Sequence, residues 1–195
     1  MDGSPISAIC GGGDLLGHVE VVSRRSLGSH QSSRMQSDVW LTPPHILRAL
    51  GSFDLDPCAP AIRPWDMARE HICLPDNGLM KPWHGRVWLN PPFGDNAGGW
   101  LHRLADHGDG IALVHARTET EWFFKSIWRR ARGLLFIEGR LTYCRPNGQP
   151  AGANSGAPSV LVAYGDDNAE CLRTCGIAGQ FIELTPTTSQ AGLFG

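Results

Sequence analysis

Several features that mark other protein classes are missing from this 195-residue sequence. It has no run of about 18 apolar residues, which a membrane-spanning helix needs, and no charged-then-apolar leader of the secretory kind. The six cysteines form no C-x-x-C pair, and the histidines lack metal-ligand spacing, so neither a disulfide framework nor a zinc site is expected. We therefore expect a cytoplasmic, monomeric protein without a metal ion or a membrane segment.

Net charge is also low, at −2, which argues against a protein that coats nucleic acid non-specifically. From Arg117 to Arg145, however, the chain has seven basic and three acidic residues, whereas residues 53–109 have eight acids and five bases. Phosphate contacts need clustered Lys and Arg, so one interpretation is a DNA-facing surface beside a small-molecule pocket. The alternative is a solvated helix face.

Composition divides the chain into three parts. Residues 1–36 are rich in Gly and Ser and predict a flexible N-terminal arm, in which only residues 19–22 look strand-like. Residues 37–185 carry regular patterns, and the apolar content of 42% can bury one core of ordinary size. Residues 186–195 are expected to form a C-terminal tail.

Strands alternate with helices in the central part. The patterns predict helices over 43–50, 97–107 and 167–175, a helix opened by a capping box of Thr118 and Glu121, and strands over 53–56, 86–89, 111–115, 134–137, 160–164 and 180–184. Thr42 is the expected N-cap of the first helix. Because no helix separates the strands at 134–137 and 160–164, these two should pair antiparallel. We expect an open, mostly parallel α/β sheet, which binds ligands at the carboxyl ends of its strands.

The tetrapeptide Asn90-Pro91-Pro92-Phe93 directly follows a predicted strand, and its prolines must end central pairing. The Asn90 side-chain oxygen and the Pro91 carbonyl can accept the two hydrogens of a planar amine, and Pro92 restricts the direction of that carbonyl. Two such acceptors return electron density to the nitrogen, which can then attack a sulfonium methyl group. Phe93 offers a face for stacking a flipped base. The alternative is a plain turn with Asn90 as a local cap.

Six blocks, in this order, resemble the phage-type Dam family of DNA N6-adenine methyltransferases. They are SDVWLTPP (37–44), FDLDPCA (53–59), DNGL (76–79), NPPF (90–93), ARTETEWF (116–123) and EGRL (138–141). The resemblance extends over about residues 29–184. It implies a class I, Rossmann-like methyltransferase fold, S-adenosylmethionine as cofactor and DNA as substrate.

The resemblance also implies where the cofactor binds. The turn Thr42-Pro43-Pro44 and the segment Asp56-Pro57-Cys58-Ala59 would line its pocket. A carboxylate of Asp56 at a strand end can meet the cofactor's ammonium group, and Asp76 can bind its ribose hydroxyls or adenine amine. Trp40 can stack on the cofactor or on the target base. The alternatives are a cap for Asp56, a plain turn for Asp76 and a core position for Trp40.

The sequence departs from many methyltransferases in the cofactor region. Cys58-Ala59-Pro60 stands where G-x-G often follows the first strand, so the cofactor loop must differ in shape. Only 34 positions separate Asp56 from Asn90, which leaves little room for the two strands normally found between them.

Three arginines are the candidate DNA contacts. Arg117 and Arg140 each follow a predicted strand end, so they can face the pocket or DNA phosphates, unless they pair with nearby glutamates. Arg145 lies in a long, polar, glycine-rich loop over about 144–157, which either reads DNA or is a disordered hairpin tip.

Together these features predict methyl transfer from S-adenosylmethionine to N6 of adenine in DNA. N4 of cytosine and the side-chain amide of protein glutamine present the same kind of planar nitrogen, so both stay open as substrates. A third interpretation is a non-catalytic DNA-binding module, against which the intact tetrapeptide argues.

Overall fold

The computed structural model describes residues 39–92 and 97–186. The predicted arm at 1–36, with its strand-like residues 19–22, lies outside the described residues. The same holds for Phe93 and for residues 187–195 of the predicted tail.

Each strand and helix predicted inside the described ranges is present, with bounds that differ by a few residues. In chain order they are α1 (Pro44–Leu50), β1 (Leu55–Asp56), β2 (Glu70–His71), β3 (Val87–Leu89), α2 (Ala97–His107), β4 (Gly110–His115), α3 (Glu121–Phe123) with a π-helix (Phe124–Trp128), β5 (Gly133–Ile137), β6 (Ser159–Tyr164), α4 (Asp166–Thr174) and β7 (Gly179–Glu183). Among these helices, none has both the length and the apolar character to cross a membrane.

The strands form one sheet in the order β2-β1-β3-β4-β6-β5-β7. The pairs β2–β1, β1–β3 and β3–β4 are parallel, whereas β6 runs antiparallel to both of its neighbours and β7 runs antiparallel to β5. The antiparallel pairing predicted for the strands near 134–137 and 160–164 is confirmed, with Leu135 opposite Leu161. The architecture is therefore an open α/β sheet that is parallel in its first half.

Helices cover both faces of the sheet. In β3, Val87 and Leu89 point to the face covered by α2 and the π-helix, and Trp88 points to the face covered by α1 and α4. All three side chains are fully buried. This alternation with period two is what a strand buried on both faces requires.

The order of the strands determines where a ligand can bind. From β1 the chain crosses to β2 on one side, and β3 then lies on the other side of β1. Connections that leave neighbouring parallel strands in opposite directions open a crevice at their carboxyl ends. Asp56 ends β1 and Asn90 follows β3, so both residues lie at this crevice.

Two predicted helix caps are wrong. Thr42 is not the N-cap of α1: the N-cap is Pro43, without a side-chain hydrogen bond, and Pro44 occupies the first helical position, where a missing N–H costs nothing. The capping box at Thr118 is also absent, because the helix begins after Thr120, whose hydroxyl donates to the Arg117 oxygen at 2.7 Å.

Between β1 and β3, the strand that leads to Asn90, the chain holds one further strand rather than two. Within the described residues this is β2, which pairs with the outer side of β1 over only two residues. The connections on either side of it contain no helix. The short separation in sequence is therefore accommodated by omitting a strand and the usual crossover helices.

Candidate active site

A cavity of about 360 Å³ opens at the carboxyl ends of β1 and β3, within the size range of small-molecule sites. Its lining comes from the segment before α1, the turn after β1, the connections around β2, and the end of β3. The lining residues include Trp40, Thr42, Asp56, Pro57, Cys58, Ala59, Asp76, Asn90, Pro91 and Pro92. One cavity thus brings together nearly all the predicted cofactor residues and the described part of the tetrapeptide. Pro43 is the exception, since it is buried outside this lining.

The Asn90 side chain is held in one orientation. Its Nδ2 atom donates to the main-chain oxygen of Trp40 at 2.9 Å. Its Oδ1 atom is buried and has no hydrogen-bond partner among the described residues. The amide therefore uses one N–H within the protein and leaves its acceptor oxygen available to a ligand.

Pro91 and Pro92 explain why the chain leaves the sheet at this point. Neither has an N–H to donate to a neighbouring strand, and β3 ends at Leu89. Both prolines line the cavity, Pro91 as a buried residue and Pro92 as an exposed one. The residues that follow β3 consequently lie at the cavity wall instead of in a strand pair.

Asp56 is a buried carboxyl group in the cavity wall, with 2% of its surface exposed. Burial raises its pKa to about 7, against the smaller opposing effects of a hydrogen bond from the Cys58 N–H at 3.1 Å and of the positive charge on Arg63. Asp56 therefore makes the local turn contact expected of a cap and also lines the cavity. A ligand cation beside it would stabilise the charged form.

Two other lining residues carry buried polar atoms without partners in the described part of the chain. They are the Thr42 hydroxyl oxygen and the Trp88 indole Nε1. The strand register places Trp88 beside Asp56, because Leu55 is opposite Val87. Buried polar groups are nearly always hydrogen-bonded, so a polar ligand is the natural partner for both.

Asp76 lies at an exposed part of the cavity wall. Its carboxylate forms an ion pair with Lys81 at 3.5 Å, and its N–H donates to the Cys73 oxygen at 3.0 Å. The plain-turn interpretation is therefore correct for the backbone, while the side chain is placed where a ligand can reach it.

Gly78 joins the turn near Asp76 to the segment after β1. A Cβ at this position would overlap the Pro57 carbonyl oxygen and meet Trp100 at 3.1 Å. The Gly78 oxygen also accepts a hydrogen bond from Trp83 Nε1 at 2.8 Å. Only glycine permits this close approach, so Gly78 is required for the shape of the cavity wall.

Several lining residues carry no signal in the sequence. They are mostly apolar: Met67, Ile72, Leu74, Trp88 and Trp100. Trp88 and Trp100 are indistinguishable from core residues in the sequence. Leu74 is 84% exposed and lies in a segment with neither helical nor strand periodicity, so its sequence does not predict a place in the cavity wall.

The arginines predicted to contact DNA do not line the cavity. Arg117 follows β4 and Arg140 follows β5, and both are exposed. Burial and then the charges of these two arginines lower the pKa of His115 at the end of β4, so both guanidinium groups lie near that imidazole. Within the described residues neither arginine forms an ion pair, and the glutamate pairing considered above is absent.

Arg145 lies in a tight turn. Its N–H donates to the Gln149 oxygen at 2.8 Å, and its own oxygen accepts from the Gly148 N–H at 2.8 Å. Gly148 approaches Pro64 so closely that a Cβ would lie 3.0 Å from the proline ring. The loop tip is thus an ordered turn.

In residues 39–92 and 97–186, no cluster of His, Cys, Asp and Glu could hold a metal ion.

Comparison with known proteins identifies the family. A family model described as DNA N-6-adenine-methyltransferase (Dam) matches residues 29–172, most of the chain. The chain belongs to the Dam family. This confirms the predicted resemblance, the Rossmann-like methyltransferase fold and the class of enzyme. No curated protein and no solved structure matches this Dam-family methyltransferase significantly.

Proposed function

We propose that this Dam-family chain transfers a methyl group from S-adenosylmethionine to the N6 amine of adenine in DNA, with Asn90 and Pro91 as the groups that bind the amine. The observation that carries the proposal is the state of the Asn90 amide. Its nitrogen is hydrogen-bonded to the main-chain oxygen of Trp40, and its buried oxygen has no partner in the described residues. Asn90 also lines a cavity of ligand size.

The exocyclic nitrogen is a weak nucleophile and must be activated, because its lone pair is delocalised into the adenine ring. Asn90 Oδ1 and the Pro91 oxygen would accept its two hydrogens and so favour a tetrahedral nitrogen with a localised lone pair. The same oxygens would stabilise the positive charge that develops on nitrogen as the N–C bond forms and the methyl–sulfur bond breaks, with the sulfur leaving as a neutral thioether. The surplus proton then leaves to solvent, and no separate general base is required.

S-adenosylmethionine, when bound, supplies an electrophilic methyl group on a sulfonium. The cavity fits such a molecule in both size and chemistry. Asp56 would hold the ammonium group, the unpartnered donors of Thr42 and Trp88 suit its carboxylate, and Asp76 is placed to accept from hydroxyls. Trp40, Pro57, Cys58 and Ala59 would complete the wall.

DNA would bind at the same edge of the sheet. Arg117 and Arg140, exposed and close to His115, suit contacts with phosphates beside the cavity, and Arg145 would contribute from its turn. Phe93 would stack on the extruded base. The cytoplasmic location and the monomeric state stay predictions.

Product analysis tests this proposal directly. DNA free of methylated bases is incubated with tritiated S-adenosylmethionine and hydrolysed to nucleosides, and a parallel reaction contains protein extract instead of DNA. We expect label in N6-methyldeoxyadenosine alone. Label in N4-methyldeoxycytidine or in protein glutamine would assign another substrate, and DNA binding without any transfer would leave a non-catalytic module.

A further inference from the structure

Cys58 connects the two polar residues on which the proposed chemistry depends. It is half-buried in the turn after β1 and lines the cavity. Its N–H donates to Asp56 Oδ1 at 3.1 Å, and its thiol donates to the main-chain oxygen of Asn90 at 3.4 Å. The ends of β1 and β3 are thus joined through one small side chain.

A contact with the main-chain oxygen of Asn90 affects the orientation of the residues that follow it. This oxygen belongs to the peptide unit that joins Asn90 to Pro91, and that unit is planar. The Pro91 ring fixes its φ near −65° and the following Pro92 restricts its ψ, so the orientation of this peptide is passed on to the Pro91 carbonyl. A contact at the Asn90 main-chain oxygen therefore helps to orient the Pro91 carbonyl, one of the two proposed amine acceptors.

We propose that Cys58 is a positioning residue for methyl transfer: its thiol fixes the Asn90–Pro91 peptide while Trp40 fixes the Asn90 side chain. This inference rests on the proposed role of Asn90. It gives the Cys58 thiol a role as a hydrogen-bond donor, in addition to its place as a small side chain in the cavity wall.

The thiol is suited to act as a donor. Burial, followed by the charge of Asp56, raises the pKa of Cys58 well above its ordinary value, so the sulfur keeps its proton at neutral pH. An S–H group is a weak donor. Serine, with a stronger donor of similar size, should therefore replace cysteine here, whereas alanine should not.

Steady-state kinetics of Cys58→Ala and Cys58→Ser in the full chain test the proposal. For Cys58→Ala we expect kcat to fall roughly two- to tenfold, the effect of one hydrogen bond. The affinity for S-adenosylhomocysteine, measured by calorimetry, should stay within about twofold of wild type, since the cavity wall is otherwise unchanged. Cys58→Ser should recover most of the lost turnover.

Cys175→Ala is the matched control. The Cys175 thiol donates to the Leu172 oxygen at the same 3.4 Å, but it lies at the end of α4, away from the cavity. Its removal should leave kcat unchanged. If Cys58→Ala does not fold, Cys58→Thr and Cys58→Val form an equivalent pair, because they share a shape and differ in the hydroxyl donor.

The proposal is overturned if Cys58→Ala turns over like wild type, if Cys58→Ser is as slow as Cys58→Ala, or if the loss lies in cofactor affinity. Asn90→Ala separates this failure from failure of the proposed function. An active Asn90→Ala would contradict the proposed role of Asn90, and the positioning role of Cys58 would fail with it. An inactive Asn90→Ala beside a fully active Cys58→Ala would remove only the positioning role.

Discussion

Asn90 and Trp40 are 50 residues apart in sequence, and the Asn90 side-chain nitrogen donates to the Trp40 main-chain oxygen at 2.9 Å. The next residue, Leu41, exchanges two main-chain hydrogen bonds of 2.9 Å with Cys144. The segment that orients the Asn90 amide is therefore itself fixed to the loop after β5. Rotation of the Asn90 side chain would break the contact with Trp40, so the free oxygen keeps one direction.

Thr42→Val should weaken cofactor binding without weakening the fold. The Thr42 hydroxyl is buried and lacks a partner in the described chain, so its removal should leave the free energy of unfolding unchanged or slightly raised. If the hydroxyl binds the cofactor, the dissociation constant for S-adenosylhomocysteine should rise by roughly three- to tenfold. Calorimetry and urea unfolding measure the two effects. Thr142→Val, an exposed position outside the cavity lining, is the control, and unchanged affinity in Thr42→Val would exclude the contact.

Cofactor affinity should depend on pH through Asp56. Burial raises the pKa of Asp56 to about 7, so in acid the site is neutral and must lose a proton before it can pair with an ammonium group. The affinity for S-adenosylhomocysteine should be constant well above that pKa and should fall by roughly tenfold per pH unit well below it. Asp56→Asn should bind weakly at every pH. A wild-type affinity that is flat through neutrality would contradict the assignment.

Gly78→Ala should disturb the cavity wall. The added Cβ would overlap the Pro57 carbonyl oxygen, and relief of such a backbone clash costs about 1–3 kcal/mol. We expect a lower urea midpoint and a weaker affinity for S-adenosylhomocysteine. Gly99→Ala in α2 is the control, since its Cβ meets nothing within 4 Å and should stabilise the helix by about 0.5–1 kcal/mol. Equal behaviour of the two variants would show that the close approach at Gly78 is unimportant.

Much of the fold was predictable because its signals are local. β4 is an apolar run that begins at Gly110, and β6 is an apolar run followed by Gly165. Gly108, with φ of 81°, follows the end of α2, a position where glycine is common. β2 was not predictable, because Glu70 and His71 have no strand character and become a strand only by pairing with β1. The order of strands in the sheet is likewise a product of tertiary contacts.

The predicted site residues were those in contiguous motifs. Asp56 and Asn90 could be found because each stands beside prolines at a strand end. Trp88 could not, since its place in the cavity wall depends on where the neighbouring strand β1 ends. The false capping box at Thr118 has a similar cause: the Thr118 oxygen accepts from Trp128 Nε1 at 3.1 Å, and this tertiary contact holds residue 118 outside the helix.

The double variant Arg117→Ala, Arg140→Ala should weaken DNA binding through phosphate contacts. Each lost contact removes about one released counterion, so the plot of log affinity against log salt should become shallower by roughly two. S-adenosylhomocysteine affinity should not change. Arg129→Ala, exposed and preceding β5 rather than following it, is the control. An unchanged salt slope in the double variant would place the DNA elsewhere.

The most direct test of the central claim is the comparison of turnover and cofactor affinity in Asn90→Ala. If the side-chain oxygen accepts a hydrogen bond from the amine in the transition state, kcat for methyl transfer to DNA should fall by about 10²- to 10³-fold. The dissociation constant for S-adenosylhomocysteine should stay within about twofold of wild type. A variant that still methylates DNA at near the wild-type rate, or one that loses cofactor affinity and turnover equally, would contradict the account.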